Sequence, residues 1–198
     1  MTHRLIIGIT GASGSLYARK LLQVLAAVPG ELHLIVSDMG QQVLAHELQI
    51  EDIDFGQFVR SLSADSHPAT DIAVHDNRDL FAPVASGSFR TSGMIIMPCS
   101  MKTLAAVATG YSHDLIARAA DVTLKEKRPL VLVTRETPLS LIHLKNMCVA
   151  AEAGATIMPA SPGFYHHPNS IDALVEYMVG RVLDQLDIKL PTMARWGD

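Results

Sequence analysis

The sequence predicts an α/β fold, a parallel sheet covered by helices on both faces, in one domain spanning residues 1–198. Three observations predict it. Four short runs, RLIIGIT (4–10), LHLIVS (32–37), GMIIMPC (93–99) and PLVLVTR (129–135), are apolar and β-branched with almost no alternation, as expected of strands buried on both faces. Helical periodicities lie between these runs, and strands alternating with helices form βαβ units with right-handed crossovers. Aromatic residues make up only 5% against many Ala, Val, Ile and Leu, which suits a helix-covered sheet better than a β-sandwich.

Taken in order, the first strand (4–10) runs into a glycine-rich turn and a helix over 14–28. The second strand (32–37) is followed by a helix over 38–48. Residues 51–92 differ: they hold DID, SADSHPATD and HDNRD, then the small-residue run ASGS (85–88), with one short strand at DIAVH (71–75). So long a stretch without clear elements is usually functional or mobile. The third long strand (93–99) leads into helices over 101–109 and 113–127, and the fourth (129–135) into a helix over 138–153. Thr137 and Pro138 read as the cap and first residue of that helix. A weaker strand, ATIMPA (155–160), and a helix over 170–187 complete the pattern. Repeats, low-complexity tracts and linkers are absent from the sequence.

Composition narrows the function. With 48% hydrophobic and 18% charged residues over 198 positions, the chain can bury a real core. A net charge of −4 gives no reason to expect nucleic acid or an anionic membrane as partner. Cys99 and Cys148 stand far apart without metal-knuckle spacing, the usage of a reducing compartment. The apolar run in MTHRLIIGITG is too short for a signal segment, and no stretch reaches the roughly 20 apolar residues of a membrane span. A cytoplasmic protein is expected.

Ligands of open α/β sheets bind outside the carboxyl ends of the strands, so the residues after each strand carry the chemistry. GITGASGS places Gly8, Gly11 and Gly14 at a G-x-x-G-x-x-G spacing, which is neither the dinucleotide fingerprint nor the triphosphate loop. Gly11, Ala12 and Ser13 either admit a phosphate to the helix N-terminus or form an ordinary tight turn. Ser37-Asp38 after the second strand is a plain cap or a second anion turn. After the third, Ser100, Met101, Lys102 and Thr103 open a helix with hydroxyls at i and i+3. Cys99 lacks a neighbouring base and reads as a small buried residue. After the fourth strand, Arg135 and Glu136 reach the carboxyl rim, as a surface pair or as part of a site.

Further donors lie beyond the turns. Arg118 and Lys125 share a helix face two turns apart, with Asp121 between them. Arg181 follows Leu174 and Met178 on an apolar stripe, where a cation is costly unless an anion meets it. Tyr165 stands in the loop PGFYHHP (162–168), whose His166-His167 pair has no metal-ligand partner, so no metal is expected. These cations exceed the need of one monophosphate and suggest two phosphate-bearing ligands, one held by turns and one by side chains.

GASG after the first strand, ASGS (85–88), PCS..T (98–103), RAADV.LKE.RPLVL..RE.P (118–138), PGFYH (162–166) and RWG (195–197) resemble the UbiX-type flavin prenyltransferases through nearly the whole chain. The resemblance implies a three-layer flavodoxin-like or Rossmann-like domain assembling into a homo-dodecamer with active sites between subunits. It implies metal-independent transfer of a dimethylallyl group from dimethylallyl phosphate to N5 and C6 of reduced FMN, the product serving UbiD-type decarboxylases. By matching motif, FMN would be held by Gly11, Ala12, Ser13, Ser37, Ser100, Met101, Lys102, Thr103 and Arg135. Dimethylallyl phosphate would meet Arg118, Lys125, Arg135, Glu136, Tyr165 and Arg181. Ser13, Glu47 and Glu136 are the expected catalytic residues, moving protons at the flavin and at the leaving phosphate. One departure stands out: many members carry a tryptophan just before ASGS, where this chain has Asp79-Leu80-Phe81. Two alternatives are a non-catalytic FMN carrier, which has little use for Lys125, Tyr165 and Arg181, and an FMN-dependent cysteine decarboxylase, whose early-helix histidine has only His46 as counterpart.

Overall fold

A computed structural model describes residues 3–50, 58 and 70–188. Six parallel strands form one sheet in the order β3-β2-β1-β4-β5-β6. The strands are β1 (His3–Ile9), β2 (Gly30–Val36), β3 (Thr70–Asp76), β4 (Gly93–Cys99), β5 (Leu130–Thr134) and β6 (Thr156–Pro159). Between and after them lie α1 (Ser15–Ala26), α2 (Asp38–Leu48), α3 (Met101–Thr109), α4 (Leu115–Lys125), α5 (Leu141–Glu152) and α6 (Ile171–Asp184).

The non-alternating strands are explained by burial on both faces. In β1, Leu5, Ile7 and Ile9 join α1, α2 and α6 in one core, while Ile6 joins α3 and α4 in the other. β4 splits the same way, Ile95 and Met97 to one side and Met94 and Ile96 to the other. Strand order therefore advances outward from β1 to β3, then restarts at β4 and advances to β6. The reversal between β1 and β4 opens a crevice at their carboxyl ends, the switch point where such sheets bind ligands.

Two boundaries differ from the sequence-based expectation. The segment around DIAVH is a full edge strand, Thr70–Asp76, in parallel register with the whole of β2. The helix expected from 138 begins at Leu141, because Ser140 accepts from the His143 N–H and the His143 ring returns a bond to the Ser140 N–H. That reciprocal cap leaves Glu136 to Leu139 as an exposed loop. The expected RWG motif and the DID and SADSH stretches lie outside the described residues.

Candidate active site

Thr10 ties the two loops of the crevice together. Its hydroxyl donates to the Pro98 carbonyl at 2.8 Å and accepts from the Ser100 N–H at 2.8 Å, fixing the end of β1 against the start of α3. The two flanking helices then present matching N-termini. Ser37 caps α2 by accepting from the Gly40 N–H, and Ser100 caps α3 by accepting from Thr103, whose hydroxyl is 3.1 Å from that of Ser100. In each first turn two N–H groups, Asp38 and Met39 or Met101 and Lys102, have no intrahelical acceptor. The two turns flank the end of β1, α2 on one face of the sheet and α3 on the other, with positive dipole ends facing the crevice.

The GASG turn itself is arranged differently from the simple anion cradle. Glu47, in the last turn of α2, accepts from the Gly14 N–H at 3.0 Å and from the Ser15 N–H at 2.7 Å. A carboxylate of the chain thus already caps α1, and Gly14 takes a φ of 128° to turn the chain there. Burial opposes the Glu47 charge, but bonds from the Ser13 side chain and from the Ser15 and Gly14 N–H groups overcome it and hold the carboxyl at about 2. Ser13 and Glu47 are therefore one hydrogen-bonded unit at the crevice floor. Gly11 is needed because a Cβ there would stand 2.5 Å from Cβ of Met39.

β5 contributes unmet hydrogen-bonding capacity. The Thr134 hydroxyl and the Arg135 Nε are buried without a hydrogen-bond partner, while the Arg135 N–H bonds the Cys99 carbonyl beside α3. Buried donors left unpaired cost about 1–3 kcal/mol each and mark a place for a ligand group. Glu136 is exposed, its carboxylate accepting from the Thr137 N–H at 3.0 Å. Tyr165, 73% exposed, sits in the loop between β6 and α6, at the same end of the sheet. Cys99 is buried and its thiol is pushed up to about 12, so it is no nucleophile.

The remaining predicted cations do not join these groups within the chain. Arg118, in the first turn of α4, pairs with Asp121 at 2.7 Å and donates to the Ala85 carbonyl. Lys125 ends α4, paired with Glu126 and close enough to Gly87 that a Cβ there would lie 2.7 Å from its Nζ. Arg181 closes α6 and reaches Asp184 at 3.4 Å; its side chain is 48% exposed rather than set into the apolar stripe. Both helices return antiparallel to the strands, so Lys125 and Arg181 lie at the amino ends of the sheet. The seven residues of β4 put about 20 Å between them and the crevice.

Sequence reasoning missed three supports. These are Thr10 as the staple, Asn77 accepting from the first N–H groups of α4, and Arg128 binding the Gly87 and Phe89 carbonyls. Each is a contact across 38 residues or more, with no local pattern to announce it. Among the described residues no group of three or more His, Cys, Asp or Glu is placed to hold a metal ion, and no helix is long and apolar enough to cross a membrane.

A parallel sheet with two helix N-termini at its switch point, and the buried, unpaired Nε of Arg135 at the end of the neighbouring strand, defines an α/β protein built to bind a phosphate-bearing cofactor. Comparison with known proteins specifies which. Residues 1–183 match the Flavoprotein family. Flavin prenyltransferase UbiX of Escherichia coli strain K12 is 50% identical over 196 residues, covering 98% of this chain and 97% of the relative. Its counterpart in Alkalihalophilus pseudofirmus is 45% identical over 192 residues, 97% of this chain and 95% of the relative. The chain belongs to the flavin prenyltransferases of the Flavoprotein family. Among solved structures, AnUbiX (PadA1) in complex with FMN and dimethylallyl pyrophosphate superposes with a TM-score of 0.89 at 43% identity, covering 100% of this chain and 99% of that one. A dodecameric FMN-dependent UbiX-like decarboxylase from Escherichia coli O157:H7 gives 0.87 at 43% identity, over 98% and 100%. The cypemycin decarboxylase, at 16% identity and a TM-score of 0.57, shares the fold alone.

Proposed function

We propose that this protein is a flavin prenyltransferase: it transfers a dimethylallyl group from dimethylallyl phosphate to N5 and C6 of reduced FMN, releasing phosphate. The observation that carries this is the buried, unpaired Nε of Arg135 beside the α3 N-terminus, in a chain 43% identical throughout to one crystallised with FMN and a dimethylallyl ester. Reduced FMN, when bound, supplies the electron-rich N5 and C6 positions. Arg135 and the first-turn N–H groups of α2 and α3 bind its phosphate, and Gly11, Ala12, Ser13, Ser37 and Ser100–Thr103 shape its seat. Breaking the allylic C–O bond sends an electron pair to the departing phosphate. Charge-assisted bonds from Lys125, Arg118, Arg181 and the Tyr165 hydroxyl would offset that charge without a metal, and Glu136 would deliver its proton. The Ser13 hydroxyl relays a proton at the flavin edge, and Glu47, hydrogen-bonded to it and to the turn, orients that hydroxyl.

Because Lys125 and Arg181 lie far from Glu136 in one chain, the site is completed by other copies. A dodecamer is the assembly that fits. Phe81 is fully exposed, and α5 presents Leu141, Ile142 and Val149 to solvent, 66%, 70% and 44% exposed, apolar surface that a neighbouring copy would cover. The product is read as the cofactor of a UbiD-type decarboxylase, and the protein as cytoplasmic, in line with its two free thiols. Anaerobic incubation with reduced FMN and dimethylallyl phosphate, followed by flavin mass, tests the reading. Gain of one five-carbon unit supports it; unmodified flavin supports the FMN carrier or the decarboxylase instead.

A further inference from the structure

Arg128 belongs to neither group of ligand-binding residues, yet its side chain is only 15% exposed. It follows the end of α4, where the Lys127 N–H donates to the Leu124 carbonyl and the Arg128 N–H to the Thr123 carbonyl, each at 2.9 Å. That closing turn requires one left-handed residue, and Lys127 supplies it with a φ of 56° where glycine is usual. A non-glycine residue persists in such a conformation where its surroundings fix it. The turn folds Arg128 back beside the helix. There its Nη1 donates to the Phe89 carbonyl at 2.8 Å and its Nη2 to the Gly87 carbonyl at 2.7 Å. Both carbonyls belong to the tight turn Ser86–Phe89, which the Phe89 N–H closes on the Ser86 carbonyl. One planar guanidinium thus grips that turn at two points, a geometry a single ammonium does not reproduce.

Lys125 lies on the turn so held. A Cβ on Gly87 would stand 2.7 Å from Lys125 Nζ and closer still to Glu126 Oε1, so the Lys125–Glu126 ion pair rests directly on the Gly87 backbone. Glu126 also links the two cations, with Oε1 on Lys125 and Oε2 4.0 Å from Arg128 Nη2. Its carboxyl is held below the usual carboxylate range, first by the bond from Lys125 and more weakly by the charge of Arg128. A phosphate that takes Lys125 must displace Glu126, and the displaced carboxylate faces Arg128.

We propose that Arg128 is a positioning residue for Lys125 in prenyl transfer: it fixes the Gly87 seat of the ammonium and draws the Glu126 carboxylate aside when the substrate phosphate arrives. Arg128 has this role only if Lys125 binds that phosphate, as proposed for the transfer reaction. The loop keeps other anchors when Arg128 is changed, since Arg118 holds the Ala85 carbonyl and Val84 is buried.

A double-mutant cycle tests the role, read as the affinity of the assembled protein for dimethylallyl phosphate by calorimetry. The protein is loaded with oxidised FMN, so that no transfer consumes the ligand. Arg128→Lys keeps the charge and loses the two-point grip. It should weaken binding about tenfold with Lys125 intact, and less than about twofold when Lys125 is already alanine, with FMN affinity unchanged in both. An arginine with a merely structural role would cost the same in both backgrounds. Arg128→Lys binding as tightly as wild type, equal losses in the two backgrounds, or loss of FMN along with the phosphate ester would each overturn the positioning role and leave prenyl transfer standing. Wild-type protein that binds no dimethylallyl phosphate would overturn the prenyl-transfer reading, and the positioning role with it.

Discussion

Replacing Glu47 tests whether the GASG turn is held by a carboxylate from α2. The side chain receives two backbone N–H bonds, at 3.0 and 2.7 Å, besides the Ser13 hydroxyl. Its carboxyl is held at about 2 against an ordinary 4.5, a gap equivalent to at most about 3 kcal/mol. Partial solvent access reduces this to about 1–2 kcal/mol of charge-dependent stability. Glu47→Ala also leaves the α1 N-terminus uncapped, so its total loss should be about 2–3 kcal/mol, or roughly 4–12 °C in Tm for a chain of this length. Glu47→Gln retains an acceptor and should lose about 1–2 kcal/mol. The sign with pH is fixed: a depressed carboxylate adds stability above its ordinary value, lost as pH falls from about 4.5 toward 2. The assay is the unfolding midpoint of wild type and both variants at constant protein concentration, from neutral pH to 3. The gap between wild type and Glu47→Gln should narrow through the acid range. A Gln variant as stable as wild type near pH 7, or a gap independent of pH, would refute the capping role.

Three further outcomes follow from the crevice. Arg135→Ala should weaken FMN binding about 10- to 100-fold, as the loss of a charged partner to a phosphate requires, measurable by flavin fluorescence titration. Thr10→Val removes the bond to Pro98 and the acceptor for the Ser100 N–H, and should cost about 1–3 kcal/mol in denaturant unfolding. Glu136→Gln should slow product formation while FMN binding is retained; an unchanged rate in single-turnover kinetics would remove Glu136 from proton delivery.

Much of this was legible in the sequence because the relevant physics is local. Apolar runs on β1, β2, β4 and β5 announced strands covered on both sides, and Ser37 and Ser100 are capping residues where expected. The start of α5 was obscured because Thr137-Pro138 is a good helix opening, whereas the reciprocal Ser140–His143 cap sets the actual one. Glu47 illustrates a deeper limit. Its partners are 32 and 33 residues away, so its position against the turn depends on how α2 packs on α1. Lys125 and Arg181 were grouped with the phosphate donors by charge. Their place at the far end of the sheet was implicit in chain order, since each closes a helix that runs back against its strand.

That separation makes subunit complementation the most direct test of how the site is built. Lys125→Ala and Glu136→Gln should each be nearly inactive in prenyl transfer to reduced FMN. Co-expressed in equal amounts and assembled together, they should regain activity at about a quarter of sites, where an intact Lys125 from one copy meets an intact Glu136 from another. A mixture as inactive as its parents would contradict a site completed between copies of the chain.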